Sequence, residues 1–194
     1  MSEAGRRTEI MEAVERLLAR GGVNAVTMRA VATEADVSLR LVQYYGSTKD
    51  ELLGATLDRL ADKSIRRWQA RADRQGPALG VIGAFLDEAL PTDRASRDLH
   101  RVGVSLEGLA ITHPDVAGRA YRTHLRGLAD HLADVLDAQG VPAARRLACE
   151  VMAIAHGVGT LLMADQLTEP EARSLLADYL DRLRPRLSTE DRAD

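Results

Sequence analysis

TMRAVATEADVSLRLVQYYGSTKDELL, residues 27–53, is the stretch whose reading decides the fold. Thr27 stands as an N-cap before a short helix carrying Met28, Val31, Ala32 and Ala35 on one face. Ser38 stands as the cap of a second short helix carrying Leu41, Val42 and Tyr45. Between them lies the tight turn Asp36-Val37-Ser38, with Val37 placed to plug the core and small Ala32 and Ala35 where two helices cross closely. Two short helices around such a turn, behind a longer supporting helix, make a helix-turn-helix over 27–45.

With Leu41, Val42 and Tyr45 turned inward, the opposite face of the second helix presents Leu39, Arg40, Gln43 and Tyr44. Arg pairs bidentately with guanine and Gln with adenine in the major groove, and Leu39 suits a thymine methyl. Thr27, Tyr44 and Lys49 suit phosphates, which set register without reading sequence, the amides capped by Ser38 suit a phosphate as well, and Arg29 is a further candidate DNA contact.

Outward from this block the chain reads as helices. The supporting helix has Ile10, Ala13, Val14, Leu17 and Leu18 on one face and stops at Gly21-Gly22. Thr48-Lys-Asp-Glu51 has capping-box spacing and opens a helix through Leu52, Leu53, Leu57 and Leu60 towards Trp68. The six prolines, at 77, 91, 114, 142, 170 and 185, all lie in the later part, and the first five precede helical periodicity. Gly76 and Gly140 suit helix ends, and Thr168–Glu171 repeats the capping box. One apolar run is Val116, Tyr121, Leu125, Leu128, Leu132, Val135 and Leu136; another is Leu175, Leu176, Tyr179, Leu180 and Leu183. No alternating strand pattern occurs, and aromatic residues are only 3% of the chain, so the class is all-α with about nine helices.

The segment Leu147–Leu162 is apolar nearly all round, which predicts burial on two sides: a core on one, and on the other either more core or a second subunit. Ala153, Gly157, Gly159 and Thr160 allow close helix approach.

A net charge of -3 taken alone argues against a nucleic-acid partner. Residues 1–74 nevertheless hold thirteen Lys and Arg against eleven Asp and Glu, while residues 75–194 hold thirteen against eighteen. Phosphate affinity follows where charges point, not their total. The single cysteine, Cys149, excludes an intramolecular disulfide and a Cys-rich zinc site. A polar start (Glu3, Arg6, Arg7) and a longest apolar run of 14 residues, Val151–Ala164, predict a cytoplasmic protein without a membrane span.

Residues 27–53 resemble the DNA-binding signature of the TetR family of repressors. They match at Thr27, Val31-Ala32, Ala35-Asp36-Val37-Ser38, Tyr44, and Lys49 before Leu52-Leu53. Two departures stand out: Arg40 replaces a common glycine, and Gly46 replaces a usual phenylalanine. The missing ring should loosen packing under the recognition helix unless Trp68 or the leucines of the next helix compensate.

The resemblance implies a DNA-binding domain at 1–47, a helical ligand-binding and dimerisation domain at 48–187, and a polar tail at 188–194. It implies a homodimer through the last two helices, a palindromic duplex operator, and release of DNA when a small ligand moves the fourth helix. No cofactor is expected, and the effector is unassigned. Polar or aromatic side chains available to a pocket are Trp68, Phe85, His100, Ser105, Glu107, Tyr121, His124, Met152 and His156.

Two other readings are open. An enzyme is disfavoured: His124 and His131 share a helical face but lack a carboxylate pair to complete a metal site, and Gly103–Glu107 ends in Glu where a nucleophile elbow needs Gly. A helical interaction module that has lost DNA binding is the other alternative.

Overall fold

The computed structural model describes residues 3–72, 77–112 and 117–187. Among them the regular elements are nine α-helices. They are α1 (Glu3–Ala25), α2 (Met28–Glu34), α3 (Leu39–Tyr45), α4 (Lys49–Ala72) and α5 (Ala78–Ala89), then α6 (Arg94–Thr112), α7 (Ala117–Asp137), α8 (Ala144–Met163) and α9 (Glu169–Leu187). Gly76, Pro114, Val116 and the tail 188–194 lie outside the described residues. The chain falls into two compact units: Met1–Lys63 with Asp98–Arg126, and Ser64–Arg97 with Gly127–Asp194.

In the first unit α1 buries the expected stripe of Ile10, Ala13, Val14, Leu17 and Leu18, together with Met11. Its helical geometry breaks at Gly21–Gly22, where Gly22 takes φ 62° and ψ −164°, a region closed to side chains with a Cβ. Val31, Val42, Leu52, Leu53 and Leu57 complete the centre. Each fully buried aliphatic of this kind contributes roughly 1.5–3 kcal/mol. Val102 and Leu106 of α6 and Tyr121 of α7 belong to the same core, so the three N-terminal helices do not close a core alone.

Local chemistry explains where these helices begin and end. Thr27 Oγ1 accepts from the Ala30 amide at 3.0 Å, and Ser38 Oγ accepts from the Leu41 amide at 3.2 Å. At the end of α2, Asp36 adopts φ 51°; its amide donates to the Thr33 carbonyl and the Val37 amide donates to the Ala32 carbonyl. This is the Schellman arrangement, with aspartate at the left-handed position usually held by glycine or asparagine. It turns the chain sharply and presses Val37 onto the core. Thr48 Oγ1 accepts from the Glu51 amide, and the Glu51 carboxylate reaches back to the Ser47 amide at 2.7 Å.

Gly46 settles the question raised by the missing phenylalanine. It is buried and extended, and a Cβ there would lie 2.5 Å from Leu52 Cδ2. The fully buried Leu52 therefore occupies the space beneath the end of α3. Trp68 packs elsewhere, inside the second unit, where its indole N–H donates to the Val81 carbonyl at 2.9 Å. Phe85 and His131 meet its ring edge-on, with centroids 5.4 Å apart in both pairs.

In the second unit α5 packs against α8 and α9, and α8 against α9. The box at Thr168–Glu171 forms: the Glu171 carboxylate accepts from the Thr168 amide at 2.8 Å and the Thr168 hydroxyl accepts from the Glu171 amide. Gly140 ends α7 in the left-handed region, as its position suggested. Tyr179 and Arg186 of α9 converge on Glu150 of α8, Tyr179 at 3.0 Å and Arg186 with both terminal nitrogens. Those bonds, Arg186 first, hold the Glu150 carboxyl below the usual carboxylate range.

Three apolar positions differ from the simple stripes. Leu125, Leu161 and Leu175 are exposed within the chain. The helix containing Val151–Ala164 is also longer than that apolar run. At 20 residues, α8 is, by length and composition alone, long and apolar enough to cross a membrane, a property that core helices of helical proteins share. In the structure α8 buries Leu147, Ala148, Val151, Ala155, Val158 and Leu162 in the core of the second unit. Its other side shows Cys149, Ala153, His156 and Leu161.

Candidate nucleic-acid interface

α3 is set with Val42 wholly buried, Leu41 and Tyr45 partly buried, and Arg40, Gln43 and Tyr44 exposed. The face expected to read bases is therefore the solvent face, and Arg40 and Gln43 have no side-chain partner among the described residues. Leu39 is half-buried and packs against the core, so only part of it reaches the surface. Thr27 and Ser38 are exposed N-caps. Each hydroxyl accepts an amide hydrogen but keeps its own hydrogen free to donate. Arg29 is exposed on α2.

Two of the expected contacts are engaged inside the protein. The Lys49 ammonium donates to the Val23 carbonyl at 2.6 Å and is partly buried. Burial holds its pKa below the usual lysine value, and neighbouring Asp50 opposes this. The Tyr44 hydroxyl, on a side chain 70% exposed, donates to Glu3 Oε1 at 3.2 Å. The negative charge of Glu3 raises the Tyr44 phenol above its ordinary pKa.

Sequence reasoning missed Glu3 and the brace that orients α2. Arg16 and Arg20 of α1 both bind the Glu34 carboxylate, Arg16 at 2.7 Å, and hold it below the usual carboxylate range. These partners are 14 to 42 residues apart, and nothing local in the chain signals such pairings.

The pocket candidates divide between the units. In the first, His100, Ser105 and Glu107 of α6 are half-buried. Tyr121 is buried and stacks on His124, with centroids 6.3 Å apart and ring planes at 27°. Burial, with the charge of Glu107 added, pushes the Tyr121 phenol to about 12. His124 Nδ1 is buried without a hydrogen-bond partner among the described residues. Burial holds the His124 imidazole below its ordinary pKa, against the opposing charge of Asp58. In the second unit Trp68 and Phe85 pack together in the core, Met152 is half-buried and His156 is exposed. Among the described residues, no three His, Cys, Asp or Glu are grouped so as to hold a metal ion.

Comparison with known proteins agrees with this geometry. The sequence pattern of the family described as "Bacterial regulatory proteins, tetR family" matches residues 10–56. An "HTH-type transcriptional regulator BetI" from Paraburkholderia phytofirmans is 25% identical over 183 residues, 91% of this chain and 92% of that protein. The crystal structure of a TetR-family transcriptional regulator from Rhodococcus sp. has TM-score 0.82 at 20% identity, covering 95% of this chain and all of that one. A transcriptional regulator from Saccharomonospora viridis, crystallised with choline, has TM-score 0.67 at 22% identity and covers 93% of each chain. The match over α1 to α4, the relative aligned over nearly the whole length and the nine-helix fold agree in what they resemble: residues 10–56 carry the pattern of the TetR-family regulators, and the chain as a whole is similar to helix-turn-helix transcriptional regulators.

Proposed function

We propose that the chain binds a palindromic DNA operator as a homodimer and leaves it when a small molecule binds. The observation that carries the DNA contact is the outward face of α3, where Arg40 and Gln43 stand exposed over a fully buried Val42. Arg40 and Gln43 supply base contacts, with the exposed edge of Leu39 beside them. Thr27, Arg29, Ser38 and Tyr44 supply phosphate contacts, joined by Lys49 if its ammonium leaves the Val23 carbonyl. In this division of labour residues 1–47 hold DNA and residues 48–187 hold the ligand and the second subunit.

Dimerisation through α8 and α9 is supported by the open side of α8, where Leu161 is 45% exposed and Gly157 has nothing within 4 Å of where a Cβ would stand. Small residues there let a second helix approach closely. The effector is proposed to act through some of the candidates above, with the Tyr121–His124 stack the most distinctive group in the first unit. Choline, bound by the Saccharomonospora viridis protein, is the first compound to try. The setting proposed is the cytoplasm, where the operator is.

Selection from random duplexes, followed by gel shifts, tests this reading. A palindromic preferred site, weakened by Arg40→Ala and Gln43→Ala, is expected. Binding no tighter to selected sites than to bulk DNA at moderate salt would refute it.

A further inference from the structure

Two adjacent tyrosines at the end of α3 meet one residue in the first turn of α1. Tyr44 donates to Glu3 Oε1 and Tyr45 donates to the Glu3 backbone carbonyl, both at 3.2 Å. The two rings sit edge to face, with centroids 5.1 Å apart, so the pair is held as a unit. Their roles differ. Tyr45 is half-buried and binds backbone, which makes it a structural tether. Tyr44 is exposed and binds a carboxylate, which is an acceptor resembling a phosphate oxygen in charge and chemistry.

A phenol carries one hydrogen to donate. A phosphate oxygen, like a carboxylate oxygen, only accepts. Tyr44 therefore cannot give its hydrogen to Glu3 and to a phosphate together. We propose that Glu3 competes with the DNA backbone for the Tyr44 hydroxyl, and so sets how tightly the recognition face holds duplex DNA of any sequence. This rests on the DNA-binding reading above. Binding through Tyr44 first breaks the internal bond, and it leaves a carboxylate beside a phosphate. Both effects lower affinity without touching base preference, because phosphate contacts carry no sequence information.

The test uses the full chain and a fluorescent mixed-sequence duplex at low salt, with wild type, Glu3→Ala, Glu3→Gln, Tyr44→Phe and the double variant Glu3→Ala/Tyr44→Phe. The Tyr45 tether survives in each, since it uses the backbone carbonyl. Glu3→Ala should bind several-fold tighter than wild type, Glu3→Gln should fall between, and Tyr44→Phe should bind more weakly. Glu3→Ala should gain clearly less in the Tyr44→Phe background than in wild type, because only the repulsion between carboxylate and phosphate is then left to relieve. A phenol titration followed by ultraviolet absorbance should show one tyrosine ionising at lower pH in Glu3→Ala than in wild type.

An equal gain from Glu3→Ala in the Tyr44→Phe background would mean simple charge removal and overturn the competition. So would an unchanged phenol titration. Unchanged or weaker binding by Glu3→Ala, with wild type binding normally, overturns this proposal alone. A wild-type chain that binds no duplex overturns it together with the DNA-binding reading.

Discussion

α3 and α8 each bury one side in their own unit and leave the other open, but the open sides differ in chemistry. α3 shows Arg40, Gln43 and Tyr44; α8 shows Ala153, Leu161 and the half-buried Gly157, with His156 among them. Extended polar side chains reach into a groove and exchange hydrogen bonds with water for hydrogen bonds with bases and phosphates. A side of small and apolar residues gains little from water and much from another helix laid against it. One open side suits DNA and the other a second copy of the chain. The contrast teaches that exposure alone does not assign a partner; the residues exposed do.

The largest expected effect breaks the α8 side. Leu161→Glu should turn a dimer into a monomer at micromolar concentration in sedimentation, with the helical circular dichroism kept, because Leu161 is already 45% exposed within the chain. Gly157→Phe should act likewise, since nothing in the chain lies within 4 Å of the added Cβ. A dimer that survives both changes is not built on this side.

The α3 side is sharpened by a pair of variants. Arg40→Ala should lose about 1–3 kcal/mol of discrimination at one position in each half-site. Tyr44→Ala should weaken binding to all sequences alike. Binding curves on a panel of single-base operator variants separate the two, and equal losses of both kinds from both variants would refute the division between reading and holding.

Beneath α3, Gly46→Ala should destabilise the fold by about 1–3 kcal/mol, since overpacking a filled site displaces its neighbours. The neighbour here is Leu52, whose Cδ2 would stand 2.5 Å from the new Cβ. Urea denaturation measures this, and in a Leu52→Ala background the added cost should shrink. An undiminished cost would place the strain elsewhere.

The smallest effect is a slope with pH. Burial lowers the pKa of the His124 imidazole in the fold from its ordinary 6.5, against the opposing charge of Asp58. Below that value the unfolded chain takes a proton that the folded chain refuses, so the unfolded state binds more protons and stability falls as pH falls. The loss should continue until the folded imidazole also titrates. His124→Gln should flatten this part of the profile of melting temperature against pH, and an identical slope in the variant would show that other groups cause it.

Much of the helix-turn-helix was legible because its signals are local. Thr27, Ser38 and Thr48 sit next to the amides they cap, and the turn at Asp36 is decided by bonds spanning three to five residues. The apolar stripe of α1 and the glycines that break it are equally local. Gly46 was legible only as a departure; what fills its place, Leu52, lies six residues away on another helix. The commitments of Tyr44 to Glu3 and of Lys49 to Val23 left no trace in spacing, because each joins residues brought near only by folding. The sharing of α6 and α7 residues with the first core was hidden for the same reason.

The sequence by itself determined the helical class, the caps and breaks, and which residue types stand on the outward side of α3. These follow from bonds and periodicities within a few turns of chain. Only the tertiary structure decided which of those side chains are free. It left Arg40 and Gln43 in solvent, placed the Tyr44 hydroxyl on Glu3, drew the Lys49 ammonium to a carbonyl and put Leu52 under Gly46. The reason is that a donor's availability depends on every acceptor within reach, and folding brings acceptors within reach from anywhere in the chain.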